Sequence, residues 1–242
     1  FSPFNGGRYL CSGSDDKTIR LWDVETSNSL DVFKGYEHAF YCIDISPLQS
    51  NNNYSNESND IGVIGGNGYT ICSGLSDTTI RIWDIETTKQ LNVFRGHYYS
   101  ANSVKYGSNE LGNTILSGSS DESVRLWDIR SNQQIRVFDG HSNWVYAAEY
   151  SPFVIKNNSD VGGGNSNVIC SGSDDNTIRF WDIRSNKKKL YVIKGDKEDR
   201  GIFCLKFVSL KKKRDNNGQK SNDDCGIHLC YGSGKGPIRV WG

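Results

Sequence analysis

The sequence predicts an all-β protein assembled from one four-stranded antiparallel unit repeated along the chain, and three observations predict it. A strand-like phrase ending in Trp recurs five times, as SGSDDKTIRLWD at Trp22, then at Trp83, Trp127 and Trp181, and last as GSGKGPIRVWG at Trp241. A second marker alternates with it, Gly96-His97 and Gly140-His141 in full, with Gly35-Tyr36 and Gly195-Asp196 as degenerate copies. The composition is rich in Thr, Ile, Val, Tyr and Trp and holds 26 glycines, which suits short strands joined by tight turns. Self-similarity of this kind means one supersecondary unit stacked on copies of itself, and it argues against a single catalytic centre.

Each element of the unit has its own reason. The Gly-His pair opens a segment such as GHSNWVYAAEYSP, whose later residues alternate like a half-buried first strand. After a linker come a second strand (NVICSGS), an Asp-rich turn, a third strand (TIRFWD) and a fourth (KLYVIKG). Asp and Asn suit the tight local hydrogen bonding of the turn, and the short spacing between second and third strands leaves room only for a hairpin.

Composition bounds the function. The 28 basic and 28 acidic residues cancel, so no global field steers the chain to nucleic acid or membrane, and local patches must choose its partners. No apolar run approaches the roughly 18 to 20 residues that span a bilayer, so no membrane insertion is expected. A soluble cytoplasmic protein, with the nucleus as alternative, is expected instead. The sequence contains no Met and residue 1 reads as the end of a strand in FSPF, so a fragment of a longer chain is expected.

Cys11, Cys72, Cys170 and Cys230 each lie eleven residues before their unit's Trp, while Cys42 and Cys204 share a first-strand position and Cys225 is off-register. Dispersed in this way, the register cysteines cannot converge on one metal ion, and they read as free thiols filling the core in a reducing compartment. No metal site and no cofactor are expected.

Taken together, G-H, then S-G, then D-x-T-x-R-x-W-D resembles the WD-repeat β-propeller family over nearly the whole chain. The resemblance implies radial four-stranded blades at about 1–34, 35–95, 96–139, 140–194 and 195–242, the first lacking most of its first strand and the last its fourth. If the ring has seven blades, as the resemblance implies, this is an open arc. It also implies a hydrogen-bonded set tying each blade: Asp121, His97, Ser117 and Trp127 in the third unit, and Asp175, His141, Ser171 and Trp181 in the fourth. The second unit keeps Asp77, Ser73 and Trp83 with Tyr36 in place of His. The last keeps only Trp241, with Lys235, Tyr231 and Asp196 at the other three positions, and is expected to be the loosest blade. The resemblance places partner-binding positions at the third and fifth residues after the His and at the residue before the turn Asp. These are Trp144, Tyr146 and Asp174 in the fourth unit, Ser100, Asn102 and Ser120 in the third, Ala39, Tyr41 and Ser76 in the second, and Asp15 in the first. Trp144 is the one Trp outside the repeated register, and nothing in the repeat calls for an aromatic there.

Three polar inserts, about 48–65, 153–166 and 209–225, interrupt the connection between first and second strands and are expected to be disordered on one common face. On that face Lys187, Lys188 and Lys189, with Lys211, Lys212, Lys213 and Arg214, form a candidate patch for anionic lipid or RNA. Asn53, Asn56 and Asn157 head Asn-x-Ser triplets that the composition of the inserts explains. His, Ser and Asp recur together but in the repeated structural register, and GSGKG lacks the spacing of a phosphate loop, so neither reads as catalytic. The leading reading is a non-catalytic scaffold or adaptor that binds other proteins, with membership of a multi-subunit complex among its expected settings. A narrower alternative rests on WDIR at Trp127 to Arg130 and Trp181 to Arg184, which resembles the W-D-x-R signature of substrate receptors of cullin-type ubiquitin ligases, with Arg130 and Arg184 as docking residues.

Overall fold

A computed structural model describes residues 9–34, 37–46, 69–108, 111–152, 167–185, 189–209, 226–236 and 238–241. They form five antiparallel sheets. The first has β1 (Tyr9–Gly13), β2 (Ile19–Asp23) and β3 (Asn28–Phe33). The second has β4 (Phe40–Ile45), β5 (Thr70–Leu75), β6 (Ile80–Asp84) and β7 (Gln90–Phe94). The third has β8 (Ala101–Tyr106), β9 (Thr114–Ser119), β10 (Val124–Asp128) and β11 (Gln133–Phe138). The fourth has β12 (Val145–Tyr150), β13 (Val168–Ser173), β14 (Thr177–Asp182) and β15 (Tyr191–Lys194), and the fifth β16 (Ile202–Ser209), β17 (Ile227–Ser233) and β18 (Arg239–Trp241). Strands pair in chain order within every sheet, and β4, β8, β12 and β16 meet side by side along one edge of the array. These are propeller blades, and among the described residues they do not close into a ring. No helix of the described residues is long and apolar enough to cross a membrane. The inserts at 48–65 and 153–166 lie outside the described residues, as do Tyr36 and Cys225; residue 209, expected to begin the third insert, still belongs to β16.

The core lies between sheets, and the two-residue period of each third strand builds it. In Ile80-Arg81-Ile82-Trp83, the two isoleucines pack forward with Ala101, Ile115 and Trp127 of the third sheet. Trp83 packs backward with Ile19, Leu21 and Phe33 of the first. Val124, Leu126 and Trp127 repeat the arrangement, as do Ile178, Phe180 and Trp181. One strand therefore supplies two cores. Trp83, Trp127 and Trp181 are at most 3% exposed, and truncating a side chain of this size in a core costs roughly 3 to 5 kcal/mol. The register cysteines Cys11, Cys72 and Cys170 pack into these layers as expected. Cys204 does not: Cys42 is covered by the following sheet, its Sγ 3.5 Å from the Ala101 carbonyl, whereas Cys204 is exposed on the fifth sheet, over which no further sheet packs among the described residues.

Burying an indole requires an acceptor for its N–H. Trp22, Trp83, Trp127 and Trp181 donate from Nε1 to Ser12, Ser73, Ser117 and Ser171 at 2.8 to 2.9 Å. In the third sheet Ser117 Oγ lies 2.7 Å from His97 Nε2, and His97 Nδ1 lies 2.8 Å from Asp121. The fourth sheet repeats this with Ser171, His141 and Asp175. Because indole can only donate, Ser117 accepts from Trp127 and is free to donate its own proton to Nε2. That leaves Nδ1–H to donate to the carboxylate. Asp121 also accepts from Ser123 Oγ and the Tyr98 N–H, and Arg125 donates to it at 3.2 Å. Burial alone would raise the Asp121 and Asp175 carboxyls, but the hydrogen bonds from His97 and His141, together with those from the turn hydroxyls of Ser123 and Thr177 and the N–H groups of Tyr98 and Ser142, outweigh it and hold both well below the usual range. Burial lowers His97 and His141 below their ordinary value despite their carboxylate partners.

The fifth sheet departs from the expected set. Asp196 is not at the His position, because the stretch from Gly195 to the first strand is two residues longer than the stretch from Gly96 or Gly140. The buried group is Asp199, whose carboxylate accepts from Ser233 Oγ and Arg239 Nε at 3.0 Å and from the Asp196 N–H at 2.7 Å. Tyr231 stands where the other sheets have Ser, and Trp241 is 43% exposed.

Two expected outcomes follow from the ties and the turns. Lys17, Thr78, Glu122 and Asn176 occupy one turn position with φ between 60° and 71°, a left-handed backbone that a β-branched residue tolerates poorly. Thr78→Gly should stabilise the chain by about 0.5 to 1 kcal/mol in a denaturant titration. His97 and His141 titrate below their ordinary value in the folded chain, so the unfolded chain takes up protons first as pH falls through about 6.5. Stability should therefore decline on acidification from pH 7.5 to 5.5, and His97→Gln should flatten that slope. A second loss should begin below about pH 4, where the unfolded carboxyls of Asp121 and Asp175 protonate while the folded ones stay ionised.

Candidate functional site

All four complete first strands carry a β-bulge at the same place. Pairing with the second strand skips one residue between Phe40 and Cys42, Ala101 and Ser103, Val145 and Ala147, and Ile202 and Cys204. The skipped residues are Tyr41, Asn102, Tyr146 and Phe203. A bulge leaves its extra residue out of the ladder and re-aims its side chain; here it gathers three aromatic rings at one mouth of the array.

Cross-strand backbone bonds fix the residues around them. The N–H groups of Ser76, Ser120 and Asp174 donate to the carbonyls of Ala39, Ser100 and Trp144 at 2.9 to 3.0 Å, so each pre-turn residue is held against the residue preceding the strand. A cavity of about 720 Å³ opens between Tyr41, Tyr99, Ser100, Asn102, Ser120, Trp144 and Tyr146. Trp144 is 50% exposed, Tyr41 53%, Tyr99 64% and Phe203 40%, an aromatic cluster left in water rather than scattered single residues. Asn102 is tied to the framework, its amide donating to Ser120 Oγ at 2.9 Å and to the Val145 carbonyl of the next sheet at 3.1 Å. Ser100 Oγ reaches the Ser76 carbonyl at 3.5 Å, another bond between sheets. Asp15 is exposed on the turn of the first sheet.

Tyr99 and Phe203 were not anticipated. Phe203 shares the register of Tyr41 and Tyr146, but counting from Gly195 misses it because of the longer loop; counting back from the second-strand Gly232 would find it. Nothing in the repeat marks Tyr99. Along the same strands Asp44, Lys105, Glu149 and Lys206 occupy one further shared position, and Lys105 Nζ lies 3.7 Å from Asp44 and 3.9 Å from Glu149. Burial raises the Asp44 and Glu149 carboxyls. Burial would lower Lys105, but the two carboxylates outweigh it and raise the ammonium instead. This row, too, was not anticipated.

The other candidates lie elsewhere. Arg130 and Arg184 are exposed beyond the far ends of β10 and β14, away from the aromatic mouth, with Arg184 Nε 3.7 Å from Asp182. Of the basic patch, Lys189 is exposed, while Lys187, Lys188, Lys211, Lys212, Lys213 and Arg214 lie outside the described residues. Ser117 and Ser171 are fully buried against their Trp partners, so neither Ser-His-Asp chain can present a nucleophile to a substrate. Among the described residues, no three His, Cys, Asp or Glu side chains converge as metal ligands.

Repeated antiparallel blades, four with the indole-to-hydroxyl tie and two of those with the full chain on to imidazole and carboxylate, varying at the mouth, define a repeat propeller. The chain belongs to the WD40 family (WD domain, G-beta repeat), whose family model matches residues 3–23, 27–84, 88–128 and 159–182. It is 26% identical over 232 residues to nuclear distribution protein PAC1-2 of Uncinocarpus reesii, covering 90% of this chain and 37% of that protein. It is 29% identical over 211 residues to nuclear distribution protein PAC1 of Coccidioides posadasii, covering 85% and 32%. A third relative, the guanine nucleotide-binding protein subunit beta of Zea mays, is 30% identical over 98 residues, 40% of this chain and 22% of that protein. The chain thus spans about a third of the length of the PAC1 proteins it matches.

Proposed function

We propose that this chain is a non-catalytic protein-interaction scaffold, an adaptor of the cytoplasm or nucleus whose partner seats on the aromatic mouth. The observation that carries the reading is the bulge on every complete first strand, which holds Tyr41 and Phe203 in water and Tyr146 half-buried between Phe203 and the exposed Trp144. Exposed Trp and Tyr on a rigid frame are the side chains most enriched at interaction hot spots. Relatives named as a subunit and as an associated factor support work within a multi-subunit assembly. The ubiquitin-ligase reading has one observation in its favour, the exposure of Arg130 and Arg184 at matching positions of adjacent sheets, far from the mouth.

The two surfaces separate by experiment. Trp144→Ala combined with Tyr146→Ala should abolish capture of the partners that copurify with the intact chain, at unchanged thermal stability, because both rings are already partly in water. Arg130→Glu combined with Arg184→Glu should leave that capture intact. The reverse pattern, with ligase adaptor lost from the arginine variant, moves the partner surface to the opposite face.

A further inference from the structure

The aromatic mouth also carries a charge. Trp144 and Tyr146 meet edge to face, with ring centroids 6.2 Å apart and planes at 77°, and Tyr146 lies almost flat against Phe203 at 4.4 Å and 29°. Two ring planes at nearly a right angle make a corner. Asp174 is bound to the wall of that corner by its N–H bond to the Trp144 carbonyl at 2.9 Å. Its Oδ2 accepts from Asn143 Nδ2 at 2.8 Å. Its Oδ1 takes no hydrogen bond from a described residue and lies over Gly201, where a Cβ would come within 2.7 Å of it and 3.5 Å of the Phe203 ring. Burial first, and the Asp174 charge second, raise the Tyr146 phenol, as expected of a carboxylate close to that ring.

The polar groups nearby offer acceptors. Both donor bonds of Asn102 are spent on Ser120 and Val145, which leaves its carbonyl oxygen. Among the described residues no Lys or Arg sits on Trp144, Tyr146 or Phe203 or pairs with Asp174; a cation–π contact is made elsewhere, by Arg125 over Tyr98 at 5.5 Å. An anionic ligand would meet Asp174 as a like charge, and an apolar one would cover that carboxylate without a partner, which is costly. A cation satisfies the ring faces and the carboxylate at once.

We propose that the corner formed by Trp144, Tyr146, Phe203 and Asp174 binds one cationic side chain, lysine or arginine, on the partner's polypeptide. This rests on the mouth being the partner surface. The probes are heptapeptides Gly-Ser-Gly-X-Gly-Ser-Gly with X as lysine, arginine, norleucine or glutamate, titrated into the full 242-residue chain while the indole N–H resonance of Trp144 is followed, assigned from Trp144→Phe. The lysine and arginine peptides should shift that resonance saturably and bind about ten-fold tighter than norleucine, the neutral counterpart of lysine. Asp174→Asn, which keeps an acceptor for Asn143, should erase that preference and leave norleucine binding unchanged. Which of lysine and arginine binds tighter names the preferred cation.

Equal binding of lysine and norleucine, tighter binding of glutamate, or an unaltered preference in Asp174→Asn overturns the proposal while leaving the aromatic partner surface standing. If no peptide shifts Trp144, the cation site falls. If the Trp144→Ala, Tyr146→Ala chain then still captures its partners, the partner surface falls with it.

Discussion

The architecture depends on one requirement: each tryptophan that fills the gap between two sheets must give its N–H to something. Indole has a large apolar body and a single donor, so burial is favourable only with an acceptor in reach. Ser117 and Ser171 supply it, and each hydroxyl then has a proton of its own to place. His97 and His141 take that proton and pass the demand to Asp121 and Asp175 at the surface turn, where Arg125 and Arg179 meet it. The chain runs from core to surface, so a packing residue deep in the sheet fixes the position of a turn at its edge.

That fixed turn is what makes the mouth a site. Asp121 and Asp175 also accept from the N–H groups of Tyr98 and Ser142, which holds the loop before each first strand against the turn between second and third strands. With both loops pinned, the pre-turn N–H of Asp174 reaches the Trp144 carbonyl and the bulged Tyr146 follows two residues later. The row of Asp44, Lys105 and Glu149 acts along the same strands from the other direction, since each ion pair joins one sheet to the next. Opposite charges at neighbouring positions favour one alignment of adjacent first strands over a slipped one.

Much of this was legible in the sequence because it repeats. Five Trp phrases, four of them with their Ser and Asp partners, sit at constant spacing, and constant spacing survives without coordinates. What varies in length was harder to read. The fifth unit inserts two residues between Gly195 and its first strand, so Asp196 was matched to a position it does not hold, and both the anchoring role of Asp199 and the register of Phe203 were missed. The bulges were illegible for a different reason: Tyr41 and Tyr146 alternate with their neighbours as ordinary strand residues do, and only the pairing shows which residue is skipped. Asp44, Lys105 and Glu149 escaped notice because charges on a first strand read as solvated until the neighbouring sheets enclose them.

The same distinction between what repeats and what varies bears on recognition. Tyr41, Tyr146 and Phe203 stand on strands rather than at loop tips, and Tyr146 is further held between Trp144 and Phe203. Aromatic side chains have only two rotatable angles, and these are already restrained before anything binds, so little conformational freedom remains to be lost on association. The cost that remains is dehydration of the polar groups at the rim, and those of Asn102, Ser100 and Ser76 are already partly committed to bonds between sheets. Asp174 keeps one carboxylate oxygen without a described donor, so the dehydration cost that a partner must offset concentrates on that oxygen, beside the rings.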